Sequence, residues 1–184
     1  MKTYIKTACL YTLVTAVVLG LVYPFLITGL AQVIFHANAN GQLIVQNGDV
    51  VGSDLIGQPF TGPRYFHSRP SAAGTGYDAS SSSGSNLAPT NKALIDRVQA
   101  SVKQEDNGAP VPIDLVTASA SGLDPDITPA AALYQVQRVA RERGKSEEAI
   151  RQLVMEHVVP RQFGLLGEPV VNVLDLNRAL DSMR

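Results

Sequence analysis

The chain has no tryptophan and one cysteine, Cys9, among 184 residues. A single thiol excludes an intrachain disulfide and any metal site built on paired cysteines. Charge is missing from the front of the chain: after Lys2 and Lys6 no charged side chain occurs before Asp49, and no further Lys or Arg before Arg64. Setting those two lysines aside, 13 of the 15 basic residues stand against all 16 acidic ones, a formal charge of −3. That balance argues against a nucleic-acid footprint, which wants a basic face. Neither phosphate-loop pattern, GxxxxGK[ST] or GxGxxG, occurs, nor does the GxSxG elbow of serine hydrolases. No HxxxH pair or EF-hand loop is present, and the three histidines, His36, His67 and His157, fall on separate elements, which favours structural roles.

What the front of the chain does contain is one long apolar run, Ala8 to Phe35, with Gln32 as its only amide side chain. A hydrocarbon core of about 30 Å needs roughly 20 apolar residues in a helix, so the run crosses a bilayer with length to spare. Ala37-Asn38-Ala39 supplies a pattern suited to signal cleavage, but a signal's apolar region is shorter, so the expectation is an uncleaved anchor. A buried core helix fits less well, because the run has no polar face. Pro24 is expected to kink the helix, and Gly20, Pro24 and Gly29 to mark a face packed against a partner helix. Lys2 and Lys6 keep the amino terminus in the cytoplasm by the positive-inside rule, placing the rest of the chain outside. The expected division is a cytoplasmic terminus over 1–7, a transmembrane helix over 8–35 (core about 11–31) and an extracytoplasmic soluble domain over 36–184.

The remainder reads as a single small mixed domain, α/β or α+β, with a long ordered loop. Gln42 to Ser53 predicts a hairpin turning at Asn47-Gly48. From Asp54 to Pro89 there is no period, yet Phe60, Tyr65, Phe66 and Tyr77 recur, which is too aromatic for a free linker and predicts a loop packed on the domain. Helices are expected from Thr90 as cap to Asn107-Gly108 (Leu94, Ile95, Val98 and Val102 inward), from Thr128-Pro129 to Gly144 (Leu133, Val136, Val139 and Ala140 inward), and from Ser146 to about Val158 (Ile150, Leu153, Val154 and His157 on one face). Strands are expected over Val111–Ser119 and Val170–Leu174, with Asp175 capping a last short helix through Leu180. The helix pair 129–158 superficially resembles a DNA-binding helix-turn-helix, but its arginines alternate with glutamates as on a solvated face. Asp124 and Asp126 offer carboxylates just ahead of a helix, where they favour its positive end. On these residues alone the chain is an anchored protein with an exported domain, and the competing reading is a membrane-anchored or secreted hydrolase acting by itself.

Several stretches together resemble the C subunit of the Kdp potassium-transporting P-type ATPase: VYPFLITGLAQVIF, GSDLIGQPF, YFHSRPSAAGTGYDASSSSGSNLAPTN, VPIDLVTASASGLDPDITPAAALYQVQRVARERG and LGEPVVNVLDLNRAL. They run in the family's order over nearly the whole chain; Ala88 and Asp126 depart from the residues common in relatives. The resemblance implies a single-span, non-catalytic subunit in the bacterial inner (plasma) membrane. Its implied partners are an ATP-hydrolysing P-type subunit, a potassium-translocating subunit and a small single-span subunit; ATP and potassium belong to the complex. This chain lacks the DKTGT phosphorylation sequence. The family is described as a catalytic chaperone that raises the ATP affinity of the hydrolytic subunit, which implies nucleotide contact at Ser82, Ser83, Gly84, Ser85 and Asn86. The charge asymmetry instead puts those residues outside, where ATP is not. The expectation is therefore a domain packed on the outer face of the potassium-translocating subunit, with any effect on ATP affinity indirect.

Overall fold

The computed structural model describes residues 1–46 and 48–183. It divides into two compact units, Met1–Ser53 and Asp54–Arg184.

In the first unit, α1 (Lys2–Val17) and α2 (Tyr23–Ile34) are joined by one π turn over Val18–Val22 into a continuous apolar rod. The π turn sits just ahead of Pro24, which has no N–H to give and whose ring crowds the carbonyl one turn back. A rod of 33 residues is about 50 Å long, ample for a bilayer, and none of it is buried within the chain. Gln32 and Asn40 exchange two amide hydrogen bonds of 3.1 and 3.2 Å, fastening the end of α2 to the single turn α3 (His36–Ala39). The expected hairpin forms from β1 (Leu43–Gln46) and β2 (Asp49–Ser53), antiparallel with an irregularity at Ile44/Val45. Its turn residue Asn47 lies outside the described residues; Gly48 has the positive φ, 93°, that a tight turn demands.

The second unit is dominated by helices. α5 (Pro129–Arg143) begins at Thr128, whose hydroxyl accepts from the Ala131 N–H, and ends at Gly144 in the left-handed region. α6 (Glu147–Glu156) is capped by Ser146. α5 packs on α6, α6 on α7 (Val173–Ser182), and Val136, Val139, Ile150, Val154, Leu176 and Leu180 form the centre of the core. The sheet is minimal: β3 (Asp126–Ile127) pairs antiparallel with β4 (Val171–Asn172). Helix with a small sheet satisfies the mixed-class expectation, with strands shorter than expected.

Several sequence expectations need correcting. Val111–Ser119 is a 3-10 turn over Ile113–Leu115, because Pro110 and Pro112 cannot serve a ladder and the buried Asp114 carboxylate accepts the Thr128 N–H at 2.9 Å. The helix after the long loop, α4 (Lys92–Glu105), is capped by Asn91 rather than Thr90, and Ile95 and Val102 point outward. Asn172, not Asp175, caps α7, accepting from the Leu174 and Asp175 N–H groups, so the strand stops at Asn172 and the helix runs to Ser182.

The segment from Asp54 to Pro89 is ordered without being regular. Phe66 is wholly buried in the core and Phe60 packs against it. Ser71 gathers three strands of backbone: its hydroxyl donates to the Gly122 carbonyl (2.6 Å) and accepts from the Ala73 (3.1 Å) and Tyr77 (2.7 Å) N–H groups. Gly122, at φ 66°, lies so close that an added Cβ would stand 2.5 Å from the Ser83 carbonyl and 2.7 Å from the Ala73 nitrogen. Gly144 has a similar φ, 64°, but open space around it. Gly144→Ala is therefore expected to cost about 1 kcal/mol, the backbone penalty alone. Gly122→Ala adds a steric clash of about 1–3 kcal/mol. Thermal unfolding of the two variants side by side checks the difference, and equal losses would contradict the close packing.

Candidate functional site

The most elaborate polar arrangement surrounds Arg64 to Arg69. The backbone of Phe66 is bracketed by the Asn177 amide, which accepts its N–H at 2.9 Å and donates to its carbonyl at 3.0 Å. Gln135 does the same for His67, at 2.7 and 3.2 Å. Both amides are at most 2% exposed, so each acts as a short piece of sheet partner inside the core. Arg138 then donates to the carbonyls of Pro63 and Tyr65 and to Gln135 Oε1. Arg143 donates to the Arg64 carbonyl and to Asp181, with its guanidinium 4.7 Å from the centre of the Tyr65 ring. Helices α5 and α7 thus hold this segment from both sides.

His67 carries the segment's contact with α4. Its Nδ1 lies 2.9 Å from Glu105 Oε1 and its Nε2 3.2 Å from the Gly62 carbonyl, so both ring nitrogens face acceptors. Burial alone pushes the Glu105 carboxyl up, but the His67 hydrogen bond and the His67 and Arg138 charges outweigh it and hold the group below its usual range. Burial also lowers the Arg138 guanidinium, partly offset by Glu105. Glu105 lines two cavities. One, of about 260 Å³, includes Tyr134, Arg138 and Arg141; the other, of about 170 Å³, includes Phe60, His67 and Tyr77. Burial pushes the Tyr77 phenol up, and its hydroxyl donates to the Arg69 carbonyl at 2.7 Å.

The residues that the family resemblance singles out, Ser82, Ser83, Gly84, Ser85 and Asn86, line neither cavity. They lie against the turn Ser119–Gly122. The Ser83 N–H donates to the Ser121 carbonyl at 2.9 Å, the Ser82 hydroxyl to the same carbonyl at 3.0 Å, and the Ser83 hydroxyl to the Gly84 carbonyl at 3.0 Å. Asn86, at φ 52°, donates through its amide to Ser83 Oγ at 3.3 Å. A Cβ on Gly84 would meet the Ala120 carbonyl at 3.1 Å, which explains the glycine by packing. A phosphate cradle turns free N–H groups outward around an anion, usually with a lysine in reach. Here Ser83, the residue at the centre of the run, gives its N–H to the domain's own backbone.

The remaining candidates are dispersed. In the apolar rod, Gly20 and Gly29 have no atom within 4 Å of an added Cβ, and Pro24 follows Gly20 by one turn. Asp124 is committed to Arg69 at 3.0 Å and accepts the Asp126 N–H, while burial and the neighbouring Asp124 and Asp175 charges push Asp126 up. His157 bonds the Leu153 carbonyl through Nδ1, and His36 lies beside Asn40. Each histidine therefore has a local structural partner.

Sequence reasoning missed Gln135 and Asn177. A signal existed: each sits in the apolar phase of its helix, Gln135 beside Val136 and Val139, Asn177 beside Val173, Leu176 and Leu180. An amide on the inward stripe has to find a partner, and the unpaired aromatic loop was the one segment without one.

The sequence profile described as KdpC, K+-transporting ATPase c chain, matches residues 5–182. The chain is 63% identical to the potassium-transporting ATPase KdpC subunit of Koribacter versatilis (strain Ellin345), covering 98% of this chain and 95% of that one. It is likewise 63% identical to the KdpC subunit of Acidobacterium capsulatum, covering 98% of each chain. For the KdpC subunit of Rhodopseudomonas palustris (strain BisB18) the identity is 55%, again over 98% of each.

Asn177→Leu keeps the branching at Cγ and adds apolar surface, yet it leaves the buried N–H and carbonyl of Phe66 unpaired. It is expected to lower stability by about 2 kcal/mol or more in urea unfolding, where a space-filling role predicts no loss. Glu105 gives an acid-side signature. With its folded pKa below the unfolded value, the stability it adds is complete above the ordinary glutamate range and is lost as pH falls through the folded value. Urea midpoints between about pH 3 and 7 should therefore show a steeper acid loss in the native chain than in Glu105→Gln.

Proposed function

The chain belongs to the KdpC family of K+-transporting ATPase c chains, and we propose that its larger unit is an extracytoplasmic structural element that supports assembly and activity of the potassium-uptake complex without touching nucleotide. Members of this family are non-catalytic accessory subunits, the catalytic subunit being KdpB. In our reading the apolar rod Lys2–Ile34 spans the bacterial inner membrane, with the amino terminus in the cytoplasm. Gly20, Pro24 and Gly29 receive a partner helix. The unit beginning at Asp54 packs on the outer face of the potassium-translocating subunit, in a complex that also holds the hydrolytic subunit and a small single-span subunit. Any rise in ATP affinity then reaches the hydrolytic subunit through subunit packing.

The observation that carries this reading is the inward commitment of the serine loop. Ser82 and Ser83 bond to the Ser121 carbonyl, Gly84 is packed on Ala120, and the loop borders neither cavity at Glu105. Opening it to bind a triphosphate would break those bonds. The charge pattern supports the same side: Lys2 and Lys6 stand in the first turns of the rod and the first basic residue after it is Arg64.

Titrating the full-length chain in detergent with millimolar ATP is expected to give no binding heat. A saturating signal that disappears in Ser83→Ala would contradict the proposal and restore the loop as a nucleotide site.

A further inference from the structure

The segment between α6 and β4 forms a small, stiff hairpin. The Val159 and Val170 N–H groups each bond the other's carbonyl, at 2.8 and 3.0 Å, and Gln162 and Leu166 do the same at 2.9 Å each. Arg161 and Glu168 close its base as an ion pair. Beyond that pair the tip carries no charge, and its large side chains face solvent: Phe163 is 85% exposed, Leu165 79% and Leu166 59%. Phe163 and Leu165 are the most exposed large apolar side chains among the described residues of the second unit. Phe163 holds φ at 55°, between Arg161 and the two left-handed glycines Gly164 and Gly167. A bulky aromatic in that region is strained, so the turn holds the ring outward at a conformational cost.

We propose that this tip is the docking anchor of the second unit, with Phe163 and Leu165 seated in an apolar pocket on the extracytoplasmic face of a neighbouring subunit of the ATPase complex. The inference rests on the outward placement argued above and adds the contact residues. Area and charge select this occupant over two others. A second copy meeting tip to tip would bury roughly 400 Å² on each side. That is about half of the ~800 Å² per partner that a stable interface takes. An anionic lipid surface attracts free Lys or Arg beside an apolar tip, whereas Arg161 is already closed on Glu168 and the residues between them are neutral. A rigid aromatic flanked by a leucine, held out with its backbone fixed, suits the centre of a protein contact, where a few such anchors dominate and little ordering is lost on binding.

The test uses the full chain in the assembled complex in membranes, with Phe163 replaced by a photo-crosslinking phenylalanine analogue. An adduct with another subunit of the complex, mapped by mass spectrometry to a segment outside the membrane, is the expected result. Adducts only with lipid, only with a second copy of this chain, or none at all would overturn the inference. Phe163→Gly provides the second arm, because glycine accepts the positive φ and the domain should keep or raise its unfolding temperature. Retention of this variant in the detergent-purified complex is expected to fall at least tenfold, and full retention would overturn the proposal. Labelling Lys103→Cys in a Cys9→Ser background with a membrane-impermeant maleimide in intact cells separates the two levels. Labelling with no adduct overturns the anchor and leaves the outward placement standing; labelling only after permeabilisation overturns both.

Discussion

Two buried amides hold the larger unit together. Asn177 and Gln135 serve the backbones of Phe66 and His67 in the way a neighbouring strand would, and they do so from inside a helical core. Without them, burying Phe66 would strand four backbone polar groups away from water, at a cost that exceeds what the ring's own burial contributes. With them, the aromatic segment becomes a core element. Arg138 and Arg143 can then close over its carbonyls, and His67 can reach Glu105 on α4. The order of the long loop follows from this point outward: Ser71 ties three backbone stretches together, Arg97 of α4 donates to the Ser71 carbonyl, and Gly122 admits the serine run at close range.

The same constraint bears on function. A loop whose hydroxyls and amides bond to its own domain is preorganised as structure, and a glycine fitted against Ala120 has a packing reason to be there. Sequence signatures rich in serine and glycine attract nucleotide readings because phosphate loops need small residues and free N–H groups. Small residues also serve wherever two backbones approach closely, and the serine run with Ser119–Gly122 is such a place. The apolar rod and the tip at Phe163 both hold large apolar groups away from the chain's own core.

Much of this was legible in the sequence. The apolar run, the hairpin, the packed aromatic loop and the caps at Thr128 and Ser146 follow from length, turn chemistry and period. The readings that failed were decided by tertiary partners or by a local cap. VPIDLV has strand-forming residues, but Asp114 is drawn in by the Thr128 N–H. Val173 and Leu174 have strand propensity, but the Asn172 side chain starts a helix under them. Ile95 and Val102 share the helical period of Leu94 and Val98, yet no residue of α4 is fully buried, and Glu105, Arg97 and Tyr134 fasten the helix through polar contacts. The amide clamp was half legible, since polar residues at 135 and 177 interrupt apolar stripes without revealing what they hold.

The central claim is that the second unit is a structural partner on the outer side of the membrane, with its serine loop closed on itself. A density map of the assembled ATPase with nucleotide bound tests it most directly. The account predicts this unit on the extracytoplasmic side, Ser82 and Ser83 against Ser121, and nucleotide density far from both. Nucleotide density in contact with Ser82–Asn86 would contradict it.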